Sequence, residues 1–120
     1  DEAGKILDLG SLSAAHYGQI IKRAGTVIWN GPMGIFEDKR YRAGSVTIAK
    51  AIADSKACSV AGGGETTELI LQLQLEKKFS FLSTGGGAML AYLAGKKLPA
   101  LAALEESGRA SPMLGREANL

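Results

Sequence analysis

Hydrophobic positions along this chain switch repeatedly between helical spacing and short continuous runs. Tyr17, Ile20, Ile21 and Ala24 fall at i, i+3, i+4 and i+7. This predicts a helix over residues 11–24, capped by Ser11 or Ser13 and stopped by Gly25. The β-branched apolar run Thr26-Val27-Ile28-Trp29 predicts a buried strand. A loop rich in Gly and Pro fills residues 30–39. A second helix is expected over about 41–54, with Val46, Ala49 and Ala53 on one side and Ile48 and Ile52 beside them. Strand 57–61 follows. The next helix, about 65–77, places Glu65, Glu68, Gln72 and Glu76 on one face and Leu69, Ile70 and Leu73 on the other. Strand 79–82 precedes a helix near 86–94, which Gly95 stops. Pro99 opens a last short helix carrying Leu101 and Leu104.

The order α-β-α-β-α-β-α with short buried strands implies an α/β fold: a Rossmann-like, three-layer α/β/α arrangement around a parallel sheet. Three strands are few for such a sheet, and each edge would expose apolar surface. The expectation is therefore a partial domain over residues 1–104. Residues 105–120 lack sustained periodicity and contain Gly, Pro, Ser and Asn, so they are expected to form a poorly ordered tail.

Composition narrows the function classes. With 46% hydrophobic and 22% charged residues, the chain is globular. A net charge of +2 with scattered Lys and Arg gives no basis for nucleic-acid binding. The single Cys58 excludes an internal disulfide and a cysteine-based zinc site; lying in an apolar run, it is expected to be a buried structural thiol. The one histidine, His16, is expected at the surface. No run approaches the roughly 18 apolar residues of a membrane span. No basic-then-apolar leader is present, so the expected location is cytoplasmic.

The candidate chemistry lies in the loops. Each predicted strand runs into glycine: Asn30-Gly31-Pro32-Met33-Gly34, Gly62-Gly63-Gly64 and Gly85-Gly86-Gly87. Each triplet precedes a helix, whose free N–H groups and positive dipole end make an anion cradle. In an open α/β sheet these loops would share the carboxyl edge, where ligands bind. Glycines can serve merely to make tight turns, but three consecutive loops favour a polyphosphate ligand. Neither GxxxxGK[ST] nor GxGxxG occurs, which argues against a P-loop or a dinucleotide site. Glu65, directly after the first triplet, would repel phosphate unless a cation such as Mg²⁺ intervenes; alternatively it complements the helix dipole. Thr66 and Thr67 could cap that helix or donate to phosphate. Glu37 could accept from a ribose or simply be a solvated loop acid.

The segments VIWNGPMGIFE (27–37), SVAGGGET (59–66) and FLSTGGGAMLAYLAGKKLPALAAL (81–104) resemble the C-terminal part of phosphoglycerate kinases, over about residues 6–104. Asp8-Leu9-Gly10 looks like the family's Asp-x-Gly turn. The resemblance implies phosphoryl transfer between 1,3-bisphosphoglycerate and ADP, giving 3-phosphoglycerate and ATP, with Mg²⁺, in glycolysis. It implies a two-domain enzyme of which this chain is the later part of the nucleotide domain. By carry-over, Glu37 binds the ribose, and Asn30, Gly31 and Pro32 line the nucleotide site. Gly63, Gly64 and Thr66 contact the nucleotide phosphates. Gly85, Gly86 and Gly87 stabilise the transferring phosphoryl group.

The family usually has Asp where this chain has Glu65, so metal ligation through Glu65 would shift by about 1.5 Å, one C–C bond. The family's turn commonly continues Pro-Lys/Arg-Thr; here it is Ser11-Leu12-Ser13. The 3-phosphoglycerate site would belong to an N-terminal domain that this sequence lacks. The fragment is therefore expected to be inactive alone. The alternative reading is a non-catalytic α/β module that binds nucleotide or protein.

Overall fold

The computed structural model describes residues 4–110. Its elements are α1 (Ser11–Arg23), β1 (Thr26–Asn30), α2 (Ala43–Ala53), β2 (Cys58–Gly62), α3 (Gly64–Gln72), β3 (Phe81–Ser83), α4 (Gly86–Leu93) and α5 (Pro99–Ala110), with short 3-10 turns at Lys39–Tyr41 and Glu76–Lys78. The expected alternation holds. The three strands form one parallel sheet in the order β1-β2-β3, the open sheet of a partial Rossmann-like α/β fold. The chain divides into two compact units at Gly87 and Ala88. No helix among the described residues is long and apolar enough to cross a membrane.

Alternation along the strands decides which face is buried. Trp29 pairs in register with Ala61, and both lie in the core with Phe36, Ile48, Ile52, Leu69, Ile70 and Phe79. The α2 and α3 positions are those the helical spacing marked as apolar, so these two helices cover this face. The Trp29 indole Nε1 is buried there and has no hydrogen-bond partner among the described residues. The opposite row runs through Ile28, Val60 and Phe81. Ile28 is 50% and Phe81 67% exposed, the wet apolar surface expected of so narrow a sheet. Cys58 belongs to this second row and begins β2, so it is exposed rather than a buried structural thiol. His16 is exposed as expected.

Several boundaries differ from the sequence reading. Neither Ser11 nor Ser13 caps α1: Gly10 is its N-cap and makes no side-chain cap bond, and the Gly10 carbonyl accepts the Ala14 N–H. The buried α1 residues are Ala14 and Gly18, not the large ones; a Cβ on Gly18 would lie 3.7 Å from Ala51 Cβ. Small residues let α1 approach α2, which leaves Tyr17 and Ile20 half exposed.

Helix α3 stops at Gln72, five residues before the expected end. Gln74 takes φ +57°, Leu75 N–H reaches the Ile70 carbonyl and Gln74 N–H the Leu71 carbonyl. That pair of bonds is a Schellman stop, made here with a non-glycine residue. Gly95, at φ +72°, ends α4 by the same pattern through Lys96 and Ala91, as its glycine predicts. Strand β3 starts at Phe81 rather than 79. Phe79 is spent in the core, and Ser59 and Ser80 exchange reciprocal side chain-to-N–H bonds at 3.1 Å just ahead of the ladder. Helix α5 runs past Leu104 to Ala110, so residues 105–110 are helical; residues 111–120 lie outside the described residues.

Candidate functional site

Because the strands are parallel, their carboxyl ends share one edge. Asn30, Gly62 and Ser83 stand in register there. The three glycine loops leave from this row and enclose an open cleft of about 410 Å³. Asn30, Gly31, Gly63, Gly64, Glu65, Thr66, Thr84, Gly86 and Gly87 line it. Parallel pairing thus brings residues as far apart in sequence as Asn30 and Gly87 to one cleft.

The loops interlock through glycine. Gly63 takes φ +97°, a conformation side chains rarely adopt, and its N–H donates to the Ser83 carbonyl at 2.9 Å. Gly86 has no room for a side chain: a Cβ there would lie 2.5 Å from Asn30 Oδ1 and 2.8 Å from Gly63 Cα. Gly31, at φ +92°, donates its N–H to Thr66 Oγ1 at 2.9 Å, which ties the first loop to α3. Thr66 is fully buried, so its hydroxyl holds the neighbouring loop together. Thr67 Oγ1 shares its one hydrogen between the Gly63 and Gly64 carbonyls. The first helical bond of α3 is Thr67 N–H to the Gly63 carbonyl. The N–H groups of Gly64, Glu65 and Thr66 precede it and have no intrahelical acceptor.

Glu65 sits in the first turn of α3, is exposed, and is the one acidic or basic residue in the lining. No group of three or more potential metal-ligating side chains occurs among the described residues. A cation here would therefore rest on one carboxylate plus its ligand's oxygens, as Mg²⁺ at phosphates commonly does. Glu65 fits that mode.

Three expected site residues lie outside the lining: Pro32, Gly85 and Glu37. Glu37 is on the loop between β1 and α2. Phe36 is buried and holds that loop to the core, which turns Glu37 out to solvent. Met33 N–H donates to the fully buried Ser45 Oγ at 2.8 Å and Ile35 N–H to the Leu7 carbonyl at 3.0 Å, so the loop is fixed at several points. Farther along, Arg40 binds both carboxylate oxygens of Asp38 and holds that carboxyl down at about 2. Thr84 is a lining residue that sequence reasoning passed over. The signal was present: a hydroxyl between β3 and a glycine triplet.

A sequence profile of the phosphoglycerate kinases matches residues 1–96. The chain belongs to the phosphoglycerate kinase family. Members of this family are glycolytic phosphotransferases. The chain is also similar to the solved phosphoglycerate kinase of Coxiella burnetii, with 41% identity and a TM-score of 0.74 over 81% of this chain. The phosphoglycerate kinase of Pyrococcus horikoshii OT3 is 44% identical, with a TM-score of 0.76 over 84% of this chain. The chain spans 25% of the length of each. It therefore corresponds to a fragment of such a phosphoglycerate kinase.

Proposed function

We propose that this chain is the nucleotide-side portion of a phosphoglycerate kinase and that its cleft receives the phosphates of ADP or ATP. The observation that carries this reading is the interlock of three glycine loops around one cleft. Gly63, Gly86 and Gly31 are each required by φ or by lack of room, and two of these loops lead into helix N-termini. Such an arrangement presents N–H groups to an anion without a side chain in the way.

In this reading the N–H groups of Gly64, Glu65 and Thr66 receive the nucleotide phosphates, and the Gly63 turn lets them approach. The Thr66 hydroxyl keeps Asn30-Gly31 against α3. Gly85, Gly86 and Gly87 face the transferring phosphoryl group from the start of α4. Phosphoryl transfer consists largely of positioning and of stabilising charge spread over the phosphoryl oxygens, and preorganised N–H groups supply that. Glu65 holds Mg²⁺, which when bound neutralises charge on the nucleotide phosphates. Glu37 accepts from the ribose, with Pro32 shaping the loop between them.

The domain assignment is residues 1–104 as part of the nucleotide domain. The acceptor, 3-phosphoglycerate, requires the N-terminal domain, so the chain alone is inactive in transfer. A glycolytic role supports a cytoplasmic location for the whole enzyme.

Calorimetric titration of the chain with ADP, in Mg²⁺ and in EDTA, tests the proposal. Saturable binding that weakens in EDTA is expected. Absence of saturable heat in both would remove the claim that these loops form a working half-site.

A further inference from the structure

Two segments distant in sequence meet at Asp8. Asp8 Oδ2 accepts the Gly44 N–H at 2.9 Å, across 36 positions, and Oδ1 accepts the Leu9 N–H at 2.8 Å. Gly44 is the second residue of α2, whose own N-cap, Arg42, makes no side-chain cap bond. Asp8 thus supplies the missing cap from outside the helix, at the end where a carboxylate is favoured. The preceding carbonyl, Leu7, accepts the Ile35 N–H at 3.0 Å.

Residues 7–9 therefore grip the loop between β1 and α2 at two places: at Ile35, and at its exit into the helix. The fit leaves no slack. A Cβ on Gly34 would lie 2.6 Å from Asp8 Oδ1 and 2.6 Å from the Leu7 carbonyl oxygen; one on Gly44 would lie 2.5 Å from Asp8 Oδ1. Neither glycine has a left-handed φ, so room for Asp8 is what glycine provides at both. Asp8 does not line the cleft.

We infer that Asp8 is a positioning residue for the nucleotide: by holding Gly44 it anchors the segment whose Leu7 carbonyl holds Ile35, and the two bonds together fix where Glu37 stands. This rests on the reading of Glu37 as the ribose acceptor. The role differs from general support of the fold, because it runs through one loop and one side chain. Asp8→Asn keeps the shape but leaves one acceptor oxygen for two N–H groups and removes the carboxylate charge at the start of α2, so the hold on Gly44 weakens whichever bond survives.

The test uses the full 120-residue chain as Asp8→Asn, Glu37→Ala and the double variant. Amide hydrogen exchange without ligand comes first. The bracket predicts that Ile35 and Gly44 lose protection together, by about tenfold, in Asp8→Asn. Faster exchange at Gly44 alone, with Ile35 unchanged, overturns the inference. Titration with ADP and Mg²⁺ comes second. Asp8→Asn is expected to weaken binding about fivefold, and by less than about twofold once Glu37 is already Ala. Two losses that simply multiply would mean Asp8 acts independently of Glu37, and the inference falls. If Glu37→Ala leaves affinity unchanged, the ribose reading fails instead, and the exchange result still decides whether Asp8 fixes the loop. Should Asp8→Asn not fold, Asp8→Ser, which cannot reach Gly44, takes its place in both measurements.

Discussion

Asn30 Oδ1 occupies the space that a side chain at Gly86 would need, 2.5 Å from where its Cβ would lie. The contact joins the end of β1 to the start of α4 across the central loop, so the three glycine segments form one object. Gly86→Ala is expected to push Asn30 aside or spread the loops, with a destabilisation of about 1–3 kcal/mol and a loss of ADP binding. Gly63→Ala, forced to φ +97°, is expected to cost about 1–3 kcal/mol by backbone strain instead. Chemical denaturation of the two variants checks both values. A Gly86→Ala protein with unchanged midpoint and unchanged ADP affinity would show that the loops are not interlocked.

Thr66→Val separates shape from hydrogen bonding. Valine fills the same buried volume but leaves the Gly31 N–H without its acceptor. The expected cost is about 1–3 kcal/mol, with Thr66→Ser close to the original protein. If serine is as damaging as valine, packing of the methyl group, and not the hydroxyl, is what α3 contributes to this loop.

The two sides of the sheet should respond very differently to truncation. Leu69 is fully buried in the core, so Leu69→Ala is expected to cost about 2–5 kcal/mol. Phe81 is 67% exposed, and Phe81→Ala is expected to stay within about 1 kcal/mol. Urea midpoints of the two variants settle the comparison. Equal losses would mean that the Ile28–Val60–Phe81 row is covered in solution.

Asp38 provides a pH signature. Its hydrogen bonds to the Arg40 side chain and N–H hold the carboxyl at about 2, against an ordinary 3.8. A lowered folded value means that the pair supports the folded state above the ordinary value, and that this support is lost as pH falls through about 2. No change from this pair is expected between neutral pH and mild acid. Both partners are solvent-facing, so the contribution is small. Carboxyl chemical shifts across an acid titration check the position; in Arg40→Gln the midpoint should return to the ordinary range. An Asp38 midpoint that Arg40→Gln does not move would place the cause elsewhere.

Much of this architecture was legible because it depends on local signals. Helical spacing in 65–73 and the β-branched run at 26–29 place α3 and β1, and glycine runs after apolar strands point to the cleft. What was not legible depends on partners far along the chain. The capping serines of α1 look adequate locally, yet Gly10 takes the position. The end of α3 was hidden because Gln74 adopts a turn conformation that sequence usually entrusts to glycine. Cys58 sits in an apolar run, but its exposure follows from strand parity and from which face the helices cover. Asp8 reads as part of a turn until Gly44, 36 residues later, is brought to it. Glu37 carries a family motif, but its place outside the cleft lining emerges only from the burial of Phe36.

The buried indole of Trp29, one peptide bond from Asn30, gives the molecule a built-in optical gauge. It is the chain's one tryptophan, so its emission carries no other signal. Unfolding wets the ring and shifts the light to the red, while any rearrangement of the Asn30 turn alters the local field at the same ring. The same chromophore therefore reads core integrity and the setting of the Asn30 turn in a single cuvette, without a label.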